Sequence, residues 1–285
     1  MNTSRTSHKT EAILLRSLDY GESDRIVTFY TRDYGKLRGI AKGARRSRKR
    51  FANALDLFCC SQVVFSRKSR DGLALIEESR VHRHFENIRQ DLEKTLMSSY
   101  LIDLTDQFTL EDKKGAELFQ SLHDFLVQID SGDCTEALLR FFEIRLLKCV
   151  GYQPVLDRCV ACQAPVNGAD VYQFHVRDGG IRCGACRQPA ETSLPVSPGT
   201  VKTLLMSRDI EFAKMNRLLM SERSIQESRN MLMHFIRHLL GKELKSLQVF
   251  HQVRKIGLYG EGMRPVKEDF FPVEEAAGSG QSAPL

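Results

Sequence analysis

A chain of 285 residues, 42% hydrophobic and 27% charged, is long enough for two or three domains with cores of their own. It has no apolar run near the ~20 residues that span a bilayer, and its first residues, MNTSRTSHKTEA, lack an apolar signal core, so a cytoplasmic protein is expected. The net charge of +6 is unevenly held: residues 1–51 carry 13 Lys and Arg against 5 Asp and Glu, net +8, and the rest is net −2.

The first eighty residues read as five strands: EAILLRS, DRIVTFYT, KLRGIAKG, CCSQVVFS and GLALIEES. They are short runs rich in β-branched and aromatic residues, separated by the turn-forming DYGESD, RDYG and SRDG. Five strands in this length suggest a small β-barrel, of which the OB-fold is one kind, with oligonucleotides among its frequent ligands. Gly39 within the third run is read as a bulge that bends the strand. The period changes near Phe85: Phe85, Ile88, Leu92, Leu96, Leu101, Leu104 and Phe108 recur three to five apart, as on one face of a long helix. GAELFQSLHDFLVQI and CTEALLRFFEIRLLKCVGY give two more helices, the second apolar around much of its circumference and expected to be buried. A Gly-Tyr and then a Pro after Cys149 stop it. Beyond LPVSPGT, Leu232, Ile236, Leu239 and Leu244 fall on one face of a long C-terminal helix, and the closing EEAAGSGQSAPL reads as a disordered tail.

Four of the eight cysteines form two C-x-x-C pairs, Cys159/Cys162 and Cys183/Cys186, twenty residues apart. Each pair can bring two thiolates to one metal, and RDGG between the pairs can turn a hairpin that closes a tetrahedral set. One structural zinc ion is expected; four buried free thiols or a redox pair is the alternative. His175 between the pairs is surplus to a complete set and reads as a surface histidine, while Cys59, Cys60, Cys134 and Cys149 sit in apolar runs and read as core.

Residues 35–51, GKLRGIAKGARRSRKRF, hold eight basic residues and no acidic one: Lys36, Arg38, Lys42, Arg45, Arg46, Arg48, Lys49 and Arg50. Such a run repels itself unless an anion sits against it. Phosphate contact is the expected use, because Lys and Arg displace the counterions of nucleic acid. A solvated loop or an acidic protein partner is the alternative. Tyr20, Tyr30, Tyr34 and Phe51 lie close by and could stack on bases, although each reads more readily as core. Asp19, Glu22 and Asp24 could bind the metal of a nuclease, but their setting also spells a turn. A sequence-reading transcription regulator has no recognition-helix pattern to support it. No phosphate-loop motif or hydrolase triad occurs, and GLYGEG at residues 257–262 lacks the strand–helix setting of a dinucleotide site.

The stretch EAILLRSLDYGESDRIVTFYTRDYGKLRGIAKGARRSRKRF closely resembles the N-terminal domain of the RecO family of bacterial DNA-repair proteins. LRFFEIRLLKCVGYQPVLDRCVACQAP, LPVSPGTVK and FIRHLLGKELKS resemble the same family, in order along most of the chain. The resemblance implies a multidomain α and β protein: an N-terminal OB-fold β-barrel, then an all-α domain with an inserted four-cysteine zinc module. On that basis the chain divides into an OB-fold domain at 1–82, a helical domain at 83–154 and 191–260, a zinc-binding module at 155–190, and a tail at 261–285. It further implies a recombination mediator without catalytic turnover, bound to the nucleoid in the cytoplasm. Such proteins bind single- and double-stranded DNA and anneal complementary strands. With RecR, and sometimes RecF, they help load RecA onto strands coated with single-strand-binding protein. The basic run matches the family's basic segment, with Arg25 and Arg16 as plausible additions. The family's site for the acidic tail of single-strand-binding protein would fall on HFIRHLLGK, where His234, Arg237, His238 and Lys242 lie beside an apolar face.

Overall fold

The structure is a computed structural model that describes residues 6–47, 49–67, 72–168, 171–187 and 193–255. Five strands come first: β1 (Ser7–Tyr20), β2 (Asp24–Thr31), β3 (Gly35–Ala41), β4 (Cys59–Ser66) and β5 (Ala74–His84). They close into a barrel in the order β1-β2-β3-β5-β4, with β1 paired to β4 and a short parallel contact between β3 and β5. This is the OB-fold connectivity. Period-two alternation produces it: Ala12 and Leu14, Val27 and Phe29, Leu37 and Ala41, Val63 and Phe65, Ala74 and Ile76 fill the interior. Each large side chain so buried stabilises the barrel by roughly 2–3 kcal/mol. Gly39 corrects an expectation. The β2–β3 register runs unbroken past it, and the register shifts lie instead on β1 between Leu14 and Arg16 and on β5 at Glu77 and His82. Gly39 marks a close approach: a Cβ there would lie 2.5 Å from Ile76 Cδ1 and 2.9 Å from the Ala74 carbonyl, where β5 crosses to close the barrel.

Among the described residues seven α-helices follow: α1 (Glu86–Gln90), α2 (Leu92–Phe108), α3 (Ala116–Ser131), α4 (Glu136–Cys149), α5 (Pro198–Asp209), α6 (Glu222–Leu240) and α7 (Lys245–Lys255). The single long helix expected from Phe85 to Phe108 is two. Asp91 is extended and its carboxylate caps α2, accepting from the Lys94 N–H at 2.9 Å, which leaves Leu92 half exposed. The long C-terminal helix is also two, because Gly241 at φ +67 ends α6 and Leu244 packs from the connection to α7. The α4 helix is buried as its composition requires, and it carries a charged pair inward. Arg140 Nη2 lies 2.8 Å from Glu143 Oε1, which also accepts from the Tyr100 hydroxyl at 2.6 Å. Burial pushes the Glu143 carboxyl up from its ordinary range.

A second, three-stranded sheet is inserted between α4 and α5: β6 (Tyr172–His175), β7 (Gly180–Arg182) and β8 (Ser193–Val196), with β6 central. Its Tyr172, Phe174, Ile181 and Val196 join one continuous core with the helices and with Ile13, Leu15 and Tyr30 from the outer wall of the barrel. Among the described residues there are therefore two cores, one inside the barrel and one shared by the helices, the second sheet and the barrel's outer wall.

The carboxylate of Glu227 in α6 ties α6 to the start of α5. Its Oε2 accepts from the Ser197 N–H at 2.8 Å and from the hydroxyls of Ser197 and Thr200 at 2.6 Å each. Burial opposes the charge, but these donors and Arg223 hold its pKa below the ordinary 4.5. Replacing Glu227 with alanine is expected to cost about 1–3 kcal/mol, measurable by urea unfolding. Because the folded-state pKa is depressed, this contribution is complete above the unfolded-state value and is lost as pH falls through the folded one. The gap between wild type and variant should therefore narrow below about pH 4.5.

Candidate nucleic-acid interface and metal centre

The basic segment leaves the barrel at the end of β3 and passes outside the β1–β2 hairpin. Three carboxylates of that hairpin organise it. Asp24 Oδ1 accepts from the Gly43 N–H at 2.8 Å, a bond that holds its carboxyl below the usual carboxylate range. Asp19 bridges two arginines, with Oδ1 3.1 Å from Arg25 Nε and Oδ2 3.6 Å from Arg45 Nε. Glu22 at the hairpin turn has Oε2 3.7 Å from Arg46 Nη2, and its carbonyl accepts from Arg45 Nη1 at 3.5 Å. These carboxylates thus face separate cationic or N–H partners rather than one another. Among the described residues, the four cysteines are the one set of metal-ligating side chains that comes together.

The expected contact residues fall into two groups. Lys42, Arg45, Arg46, Lys49 and Arg50 are exposed on the loop. Arg50 lies over the Phe51 ring at 5.0 Å and donates to the Lys42 carbonyl at 2.8 Å, which closes the loop on itself. Arg25 joins them from β2, also donating to the Leu55 carbonyl at 3.3 Å. An open cleft of about 270 Å³ lies here, with Arg25, Arg45, Ser47, Asn53 and Asp56 on its walls. Arg48 lies outside the described residues, as do GLYGEG and the tail.

Lys36, Arg16 and Arg38 sit elsewhere, at the junction with the helices. The Lys36 ammonium reaches Asp106 Oδ1 at 2.9 Å, the Asp106 carbonyl, and the Thr109 carbonyl at 3.0 Å, so its three donors are engaged at the end of α2. Arg16 Nη2 is 2.8 Å from Asp106 Oδ2, and Arg38 Nη1 is 3.5 Å from Glu111. The α2–α3 connection runs along β3, where the Asp112 N–H donates to the Lys36 carbonyl at 3.2 Å. Gly35, at φ +69, allows this approach, since a Cβ there would meet the Lys113 carbonyl oxygen at 2.0 Å. Lys36 thus couples barrel to helices, a role hidden in the sequence because its partner lies seventy residues on.

Of the four nearby aromatics, Tyr30 and Phe51 are buried and Tyr34 packs edge-on to Phe65. Tyr20 alone of the four is largely exposed, at 55%.

The four cysteines meet as their spacing requires. All four Sγ atoms lie within 4.8 Å of one another. The hairpin is β6–β7, turned by Arg177, Asp178 and Gly179 at φ +64. Gly180 permits the fit, because a Cβ there would lie 2.4 Å from Val160 Cγ1 and 2.9 Å from the Val155 carbonyl oxygen. The Cys159 sulfur is buried, which opposes its charge, yet the N–H groups of Cys162, Cys183 and Ala161 bring its pKa down to about 6. Hydrogen bonds to Cys162 and Cys183 push Cys186 up to about 12. Four sulfurs this close can all become thiolates only with a cation to share their charge, and the donor set suits a soft or borderline metal ion. His175 is not the surface residue expected: it is 6% exposed, its Nε2 is buried, and burial lowers its pKa. It stands outside the four-sulfur set. Cys59 and Cys60 are core as expected, whereas Cys134 and Cys149 are half-buried at its margin.

His234 and Arg237 of α6 and Lys242 of the connection after it come together around a groove against α7, lined also by Met233, Leu244 and Leu247. His238 is exposed but does not line it.

Residues 3–85 match the family described as "Recombination protein O N terminal" and residues 89–248 match "Recombination protein O C terminal". The chain is 53% identical over 260 residues to the DNA repair protein RecO of Syntrophus aciditrophicus (strain SB), covering 90% of this chain and all of that one. It is 35% identical over 253 residues to the DNA repair protein RecO of Desulfatibacillum aliphaticivorans, covering 86% of this chain and 97% of the relative. Over 245 residues it is 33% identical to the protein of the same name from Anaeromyxobacter sp. (strain K), covering 86% and 96%. With an OB-fold barrel followed by a helical domain that holds an inserted four-cysteine cluster, the chain belongs to the RecO family of DNA-repair proteins.

Proposed function

We propose that this protein is a recombination mediator that binds single- and double-stranded DNA without reading sequence, and anneals complementary strands. The observation that carries the reading is the loop after β3, where Lys42, Arg45, Arg46, Lys49 and Arg50 stand exposed on a barrel whose hairpin carboxylates hold the loop in place. A backbone phosphate can replace a carboxylate at Arg45 or Arg46 with little rearrangement, because both ion pairs are long and solvated. Neutralised phosphates on two strands repel less, so the strands can meet and pair. Arg25 reinforces this surface from β2; Lys36, Arg16 and Arg38 contribute by fixing the barrel on the helical domain.

The groove between α6 and α7 takes the acidic, apolar tail of single-strand-binding protein, with Arg237 and Lys242 meeting carboxylates and Leu244 and Leu247 meeting apolar side chains. That contact brings the protein to coated gaps in the cytoplasmic nucleoid. RecR, with RecF in some settings, joins there and RecA is loaded. Cys159, Cys162, Cys183 and Cys186 hold one structural zinc ion, which supplies folding energy and no reaction. No step needs turnover by this chain. Incubated with magnesium or manganese, labelled single strands are expected to stay intact and to appear as duplex when their complement is added. Cleavage that disappears in an Asp24→Ala variant would replace this reading with a nuclease.

A further inference from the structure

We propose that Arg38 and Arg67 form a second phosphate site on the barrel, which the connection between α2 and α3 occupies with Glu111 and Asp112 until nucleic acid displaces it. The proposal rests on the reading of the basic loop as a phosphate site and adds to it a contact that regulates it.

The connection is a strap laid along one edge of β3. That edge pairs with β5 only at Gly39 and Ile40, and from Gly35 to Arg38 it is left to the strap. Both ends of the strap are pinned. The Lys36 ammonium donates to the Thr109 carbonyl at 3.0 Å, and the Tyr30 hydroxyl donates to the Gly115 carbonyl at 3.2 Å. Between these ends residues 110–114 are all exposed, Leu110 to 69%. Asp112 sits at φ +60, a conformation few non-glycine residues adopt. The middle of the strap meets β3 through a single bridge, Lys36 with Glu111.

Two ion pairs add to that bridge. Glu111 Oε1 lies 3.5 Å from Arg38 Nη1 with both side chains exposed, a kind of pair that contributes little. Asp112 meets Arg67 Nη1. The Arg67 guanidinium is only part used: its Nε and Nη2 are buried and, among the described residues, find no acceptor. A phosphate group presents several acceptor oxygens and can engage such a fork at two points. Arg38 precedes Lys42 of the basic loop by four residues, about 13 Å along a strand, so one nucleic-acid backbone can touch both. Lys113 and Lys114 balance Glu111 and Asp112, so the strap is neutral. It therefore blocks by contact at Arg38 and Arg67 and not by its field. An uncharged partner in its place would leave both guanidinium groups without an anion.

The test is a cycle on the Arg38–Glu111 pair in the full-length protein, with oligothymidylate as the probe. Glu111→Gln should bind it about two- to fivefold more tightly, the range of one solvated ion pair. Its salt slope should steepen by about 0.7, the share of one phosphate contact on a single strand. In an Arg38→Gln background the same substitution should change neither. Hydrogen exchange adds a readout on wild type: the Asp112 amide, bonded to the Lys36 carbonyl, should exchange faster once oligothymidylate is bound, while α2 and α3 keep their protection. Equal gains from Glu111→Gln in both backgrounds, or an Asp112 amide that exchanges no faster in the complex, would overturn the strap and leave the basic loop as the phosphate site. Failure of wild type to bind oligothymidylate would overturn both readings.

Discussion

Alanine at Arg45, Arg46, Arg48, Lys49 and Arg50 together is expected to weaken binding to a single-stranded oligonucleotide by two or more orders of magnitude at low salt. The salt dependence should flatten with it. Each phosphate contact on a single strand contributes about 0.7 to the slope of log affinity against log salt, so losing four or five contacts removes about three units. Duplex affinity should fall in parallel, because the contact reads charge and not bases. The barrel should survive, since Arg45, Arg46, Lys49 and Arg50 are exposed and its interior is supplied by other residues. Fluorescence anisotropy over a salt series measures the effect. A Lys36→Ala variant separates the two uses of basic residues in this segment: it should reduce thermal stability through the lost bonds to Asp106 and Thr109, and leave the salt slope nearly unchanged. A steep slope retained in the five-residue variant would move the phosphate site off the loop.

Loss of the proposed zinc is the second large expected effect. A structural zinc in a small module contributes about 10–16 kcal/mol of binding, which is folding energy when no preformed site exists without it. Here the ligand pairs hold the β6–β7 hairpin against residues 155–160, through the bonds of the Val155 and Ile181 amides and carbonyls at 2.9 to 3.0 Å. Because Tyr172, Phe174 and Ile181 belong to the shared core, the loss should spread into α4 and α6 and not stay local. Cys159→Ala, or treatment with a strong chelator, is expected to drop zinc content from about one ion per chain to none. The unfolding midpoint should fall by many degrees, and residues 155–187 should become open to protease. The salt slope for DNA should persist in whatever fraction remains folded, since the barrel has its own core. A chain that keeps its full stability after complete metal removal would contradict a structural zinc.

Alternation made the barrel legible, and turn residues marked its hairpins, because inward positions on every strand are apolar. The cysteine spacing was equally readable, since two C-x-x-C pairs around a Gly-Gly turn have few other geometries. What escaped depended on partners distant in the chain. The periodicity through Leu92 continued across Asp91, yet an aspartate in extended conformation caps a new helix there. Lys36 looked like its neighbours until Asp106 met it from the helical domain. Gly39 had the signature of a bulge, but the missing Cβ serves a crossing strand. His175 carried no local mark of burial, yet it is 6% exposed on the central strand of its sheet. The carboxylates of the β1–β2 turn suggested a metal site because acidic residues in a row look alike; their separate arginine and amide partners become visible only with the loop folded over them.

The most direct test is the annealing of complementary single strands, each coated with single-strand-binding protein, in the absence of ATP. Wild type and the five-residue alanine variant would be followed side by side. The account predicts rapid duplex formation by wild type and its collapse in the variant, with both proteins folded and zinc-loaded. No acceleration by folded, zinc-loaded wild type would contradict it.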